Sequence, residues 1–323
     1  MDQGIVIRRV RRKEFDRLFE ITGETSYAKR VTGLSEHRFL RIAKLYGLVE
    51  VAFPFLDVLR KDVFDTILVA ASGDRIVGEI HLVYLGRRIW AISSAAVDPA
   101  FGRRGIFKSL MGQGLKYISS RHGERVFGSF RTDITAVDRV MCKMFGFEIF
   151  EKLHLLQLKL HRIPDVELDE NAAIREANRT DAEKIYQLIK SISPKKTRIR
   201  RTAPSDFIDS SLSRVAEKLM WSHSKRWVME MQGRIVGYVR FTYTPPQESG
   251  ELESFQVIPS SESSRLIRSL LGAVLRFLYE RNIRKIVVYL DDEWRSTIET
   301  FESFGFKHIA SYNNTVKILR KNP

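Results

Sequence analysis

Only one cysteine, Cys142, stands in the 323 residues. That excludes an intrachain disulfide and any cysteine-rich metal site, and no metal is expected. Long apolar runs are missing as well. Nothing approaches the roughly 18 residues that a membrane span requires, and TILVAA (66–71) is only strand-sized. The N-terminal MDQGIVIRRV carries no apolar run of signal-peptide length. Acidic residues are few beside basic ones, 39 Asp and Glu against 54 Lys and Arg, so the net charge is +15. These absences lead us to expect a soluble cytoplasmic protein, with no membrane partner. The charge points to an anion without choosing among nucleic acid, anionic lipid and a phosphate-rich small molecule. The surplus is spread out: residues 1–163 hold 28 Lys and Arg against 18 Asp and Glu, and the remainder 26 against 21. Only KKTRIRR (195–201) is dense, and no aromatic residue interleaves with it. It reads as a solvated loop rather than a nucleic-acid arm.

What is present is enough apolar material for cores, 44% of the chain with 11% aromatic, in a length that suits two domains. The two are copies of one another. RIVGEIHLVY from Arg75 returns as RIVGYVRFTY from Arg234, VDP at Val97 as VIP at Val257, and FGF at Phe145 as FGF at Phe304. The shifts are 159, 160 and 159 residues, in the same order, which points to duplication. We therefore place one domain at 1–160, a second at 173–323, and a linker, HRIPDVELDENA, at 161–172. The hydrophobic periodicity gives each copy the order β-α-α-β-β-β-α-β-α-β, a mixed α/β (α+β) sheet covered by helices. In the second copy Thr180 and Glu183 are expected to open the first helix as a capping box.

The stretch VDPAFGRRGIFKSLM (97–111) joins an expected strand to an expected helix over 105–120. The first amides of a helix lack intrahelical partners, and the macrodipole places about half a positive charge there. Gly102 and Gly105 allow the backbone to curl its N–H groups towards one point, while Arg103, Arg104 and Lys108 add charge. On residues alone this is either an anion cradle or a basic turn without a ligand.

The stretch resembles the acetyl-CoA loop of the GNAT superfamily of N-acetyltransferases. Val97, Pro99, Gly105 and Leu110 fit that loop, whereas Gly102 stands where Arg or Gln is usual and Phe107 where a small residue is usual. The resemblance covers nearly all of 4–160 and returns over about 173–320. It implies two tandem GNAT domains, with acetyl-CoA (coenzyme A) as cofactor. It also implies cofactor contacts at Ala96, Val97, Gly102, Arg103, Arg104, Gly105, Ile106, Phe107 and Lys108. The second loop, VIPSSESSRLIRSLL, keeps Val257 and Pro259 but puts Arg265 at the central glycine and adds Glu262. A side chain and a like charge at that point both oppose a pyrophosphate, so the second domain is expected to be degenerate.

Acetyl transfer to a primary amine needs the neutral amine, although an alkyl ammonium has a pKa of about 10.4. The acceptor is expected to be a small-molecule amine or a peptide amine. The family often places a Tyr acid in the closing helix, but here that position holds Cys142, and in the second copy Phe301. The strand RIWAISSAAV offers Ser93 and Ser94 but no carboxylate. On the neighbouring strand Glu79 and His81 share a face, with Tyr84 on the other. Either can relay a proton if that face looks inward, and both are merely solvated if it looks outward. Glu251 is a further carboxylate in the second copy. Residues 23–62, with Arg38, Arg41 and Lys44 on one helical side, are the region expected to select the acceptor. The rival reading is a non-catalytic acyl-CoA-binding or scaffold protein.

Overall fold

A computed structural model describes residues 4–11, 14, 17, 18, 21, 66–166, 169–200, 202–207, 223–245, 248–260 and 262–319. The acceptor-selecting region expected at 23–62 lies outside the described residues. The chain forms two compact units, residues 1–150 with 313–323, and residues 151–312.

In the first unit, strands β1 (Ile5–Arg9), β2 (Thr66–Ser72), β3 (Arg75–Gly86), β4 (Ile89–Val97) and β5 (Arg125–Arg131) lie side by side in that order. The first four are antiparallel, and β4 and β5 are parallel. Parallel neighbours need a crossover, which helix α1 (Ile106–Ser120) provides. Its apolar residues recur at helical spacing, so Ile106, Leu110, Met111, Leu115 and Ile118 are all buried. They meet Ile80, Leu82 and Val126 of the sheet in one core. Burying each such side chain is worth about 1.5–3 kcal/mol, which is what keeps α1 seated on β3. After β5 comes a short helix, α2 (Thr135–Asp138), which continues as a π-turn over Arg139–Met144. The last strand of the chain, β12 (Lys307–Ile318), enters this unit from residue 313 and runs beside β5. There Thr315 Oγ1 donates to the Gly128 carbonyl at 3.0 Å.

The second unit repeats the plan. Strands β7 (Ala173–Glu176), β8 (His223–Met231), β9 (Arg234–Thr244) and β10 (Ser249–Val257) are antiparallel neighbours, and β10 pairs in parallel with β11 (Lys285–Asp291). Helices α3 (Ala182–Ile192) and α4 (Pro194–Arg200) precede β8. Helix α5 (Ser263–Glu280) is the crossover, and α6 (Arg295–Ser303) follows β11. Residues from 151 of β6 (Glu148–Lys159) complete the sheet, with Leu153 to Lys159 antiparallel to β11. The two hairpins that open the repeat turn at matching places, Ser72↔Arg75 and Met231↔Arg234. The second is a two-residue turn with Gln232 and Gly233 both at positive φ, the twist that suits antiparallel strands.

The units thus do not follow chain order at their edges. Each closes with a strand that the expected boundaries at 160 and 173 assign to the other side of the division. The expected cap also sits differently: Asn178 and Asp181 form the capping box, in a 3-10 turn just before α3, and Thr180 donates its amide to Asn178. Asn is at least as good a cap as Thr, and its side chain here reaches the amide two residues on.

Candidate functional site

The register between β4 and β5 runs from Ile89↔Arg125 only to Ile92↔Gly128. Residues 93–97 of β4 continue with β3 as their ladder partner, after a bulge at Ser93. Ser93 and Ala95 are exposed there. One edge of β4 therefore carries backbone donors and acceptors that an extended ligand can pair with.

At the end of β4 the chain turns through Asp98 and a short 3-10 turn, Pro99–Phe101. Asp98 is buried, accepts from the Ala100 amide at 2.9 Å, and is paired with Arg75 at 2.8 Å and Arg17 at 2.9 Å. Burial opposes its ionisation, but the Ala100 amide and the Arg75 and Arg17 charges prevail and hold the carboxyl below its usual range. Asp98 fixes the turn from which the loop departs. We expect Asp98→Ala to cost about 2 kcal/mol of stability at neutral pH, as read by urea unfolding. An unchanged midpoint would show that the turn holds without this anchor. An Asp before Pro, opening a turn, is a capping signature that sequence reasoning could have used.

Beyond the turn Arg103 has φ +61° and Gly105 φ +74°, so two left-handed residues within three curl the backbone. Gly105 is the N-cap of α1, and Ser109 makes the first bond back to its carbonyl at 3.0 Å. The amides of Ile106, Phe107 and Lys108 precede that bond and point out of the helix start. Beyond its chain neighbours a Cβ on Gly105 would meet nothing within 4 Å, so the N-cap itself borders open space. Gly102, Arg103, Arg104, Gly105 and Lys108 are exposed. Arg104 stacks on Phe101, its guanidinium 5.0 Å from the ring centre. The Ile106 side chain is buried and Phe107 packs on the core, so these two offer the loop only their amides. The bulk of Phe107 is thereby taken up. Ala96 is buried, and Val97 ends β4 opposite Gly78. The nine cofactor candidates are one contiguous strand-loop-helix feature, and its cradle fits a pyrophosphate.

Glu79 lies directly across from Ala96, and His81 across from Ser94. Gly78, Ile80 and Leu82 take the α1 face, so Glu79 and His81 take the other, which Leu18, Ile21 and Val69 help to cover. Glu79 is only 1% exposed, which removes the solvated alternative for it; His81 is half-buried. Burial pushes the Glu79 carboxyl up to about 7, against the Ser94 hydrogen bond and the His81 charge. Ser94 Oγ reaches Oε2 at 3.4 Å, while Oε1 is buried with no hydrogen-bond partner among the described residues. Tyr84 packs on the α1 side against Trp90, as its parity requires. Cys142 lies in the π-turn, and burial with Asp138 nearby pushes its thiol up to about 11.

The second unit handles the matching loop differently. Helix α5 starts from Glu262 at φ −96°, not a left-handed residue. The Ser260 amide donates to Ser263 Oγ at 2.6 Å, and the Glu262 amide to Ser260 Oγ at 3.2 Å. Arg265 is ion-paired with Asp169 at 3.1 Å and Glu262 at 3.2 Å, and Asp169 is buried with its amide on Ser269. The loop's polar groups are thus paired with one another and with a carboxylate from the stretch before β7. Glu251 is partly buried on β10, and burial with Glu253 pushes it up to about 7. Among the described residues no helix is long and apolar enough to cross a membrane.

A model of the acetyltransferase (GNAT) family matches residues 37–147 and again 193–306. The chain belongs to this family. The GNAT regions cover the β4 loop of the first unit and the closed loop of the second. Solved structures agree on a tandem GNAT fold. A tandem GNAT protein from the clavulanic acid biosynthesis pathway is 13% identical, with a TM-score of 0.62 and 99% of each chain covered. A GCN5-related N-acetyltransferase from Sphaerobacter thermophilus is 15% identical at a TM-score of 0.60, over 98% of this chain and 96% of its own. A glucosamine N-acetyltransferase region of a fungal multi-domain β-N-acetylglucosaminidase reaches 0.65 at 10% identity, over 98% of this chain and 38% of that one. No curated protein shows significant sequence similarity to the chain.

Proposed function

We propose that the chain is an N-acetyltransferase whose first unit binds acetyl-CoA, or another short acyl-CoA, and acylates a primary amine by direct attack. The observation that carries this reading is the contrast between the two loops. One is left-handed at Gly105 and open before its helix; the other is closed by Ser260, Ser263 and the Arg265–Asp169 pair. In the first, the Ile106, Phe107 and Lys108 amides hold the pyrophosphate, with Arg103 and Arg104 adding charge. The open edge of β4 aligns the rest of the cofactor, which when bound supplies an activated thioester. Glu79, buried and titrating near 7, takes the proton that the amine must lose. His81 stands beside it as a second relay. At the position where the family often carries a Tyr acid, Cys142 offers a thiol in place of the phenol hydroxyl.

That last point also favours a second reading, an acyl-CoA-binding protein without transfer. Calorimetric titration of acetyl-CoA into the chain, followed by thiol release over a panel containing glucosamine, a diamine and a peptide amine, separates the two. Saturable binding with amine-dependent thiol release is expected. Binding without release from any amine supports the second reading, and no binding removes both. One bound cofactor per chain is expected, and Arg265→Ala should leave that number at one, because the left-handed cap is still missing. Two sites per wild-type chain would show that the second loop opens.

A further inference from the structure

A separate cluster in the second unit brings together His154 of β6, Asp292 just after β11, and His308 and Ser311 of β12. His154 Nε2 is 2.5 Å from Asp292 Oδ1. In the neutral ring a carboxylate on Nε2 puts the proton on that nitrogen, so Nδ1 is the one that carries the lone pair. Nδ1 faces His308 Nε2 at 3.3 Å and Ser311 Oγ at 3.0 Å, and the same hydroxyl is 3.0 Å from His308 Nε2. Three donor atoms thus form a triangle with edges of 3.0–3.3 Å. Two ligands at about 2.0–2.1 Å from a tetrahedral zinc ion stand about 3.3 Å apart, so this triangle matches one face of its coordination shell. Asp292 on the far nitrogen of His154 is the outer partner that orients a metal-binding imidazole. Lys152 is drawn to Asp292, at 3.5 Å. His308 is exposed, so an ion can enter from solvent.

We propose that His154 Nδ1, His308 Nε2 and the Ser311 hydroxyl form a zinc-binding site, completed by water and oriented by Asp292. Two imidazoles and a hydroxyl suit Zn²⁺ better than Mg²⁺ or Ca²⁺, which take oxygen donors. The site ties β6 to β12 and is independent of the cofactor loop.

Zinc added to the chelator-treated full chain at pH 7.5, measured against a chromophoric competitor, tests the site. We expect one zinc bound per chain, lost in His154→Ala and in His308→Gln. Asp292→Asn should keep the stoichiometry and weaken affinity about 10–100-fold. His122→Ala is the control and should bind as wild type does. Cobalt should give visible absorption bands in wild type and none in His308→Gln, a change at an exposed position that leaves the core intact. Zinc should raise the thermal midpoint of wild type but not of His308→Gln. Failure of wild type to bind zinc saturably, or binding that survives both histidine changes, overturns the proposal.

Discussion

Gly105→Val will abolish acetyl-CoA binding, with affinity falling at least about 100-fold by calorimetry. The reason is the backbone. Gly105 sits at φ +74°, where a β-branched residue pays about 1–3 kcal/mol, so the helix start must unwind or shift. Beyond its chain neighbours a Cβ there meets nothing within 4 Å, so the change acts through the backbone at the N-cap rather than through a clash. No core side chain is displaced, so the variant should still fold, with a thermal midpoint lowered only by that strain. That pairing of outcomes separates a cofactor cradle from an ordinary turn. Unchanged affinity in a folded Gly105→Val variant would remove the cradle from the reading. Gly105→Ala should give an intermediate loss, since it carries the strain with the smallest side chain.

The fold was legible in the sequence because its evidence is repeated. Each hairpin strand, each Val-x-Pro turn and each closing Phe-Gly-Phe occurs twice at a shift of 159 or 160, so one ambiguous segment could be checked against its copy. The cradle was legible for a related reason: glycines have a conformational meaning that spacing exposes, and Gly105 is left-handed where the pattern needs it. Other features depend on partners far away in the chain. The closure of the second loop turns on Asp169, which no local pattern links to Arg265. The end of the β4–β5 ladder at Ile92 depends on where two strands diverge, and strand residues on either side look alike in composition. The last strand lies beside β5 from residue 313, 182 positions after Arg131, so only the folded chain reveals it.

The protonation of Glu79 is the other large effect. Parity alone left its face undecided, and the structure buries it. Its carboxyl titrates near 7 when folded but near its ordinary 4.5 when unfolded. The folded state therefore holds more protons between those values. Stability from the neutral carboxyl is fully present below about pH 4.5 and is lost as pH rises towards 7. A shift of this size corresponds to about 3 kcal/mol. Glu79→Gln keeps the shape and removes the charge, so its stability relative to wild type should rise between pH 4.5 and 7.5 by up to that amount. The measurement is a urea midpoint taken at each pH. Transfer should move the opposite way, because the ionised carboxylate is the proton acceptor. Wild-type kcat/KM should climb through pH 7, and Glu79→Gln should lose about 100-fold or more with that limb flattened. Cofactor affinity should change little. A variant that gains stability at high pH while keeping wild-type kcat/KM would make Glu79 a buried group without a part in transfer, and His81 would then be the next base to replace.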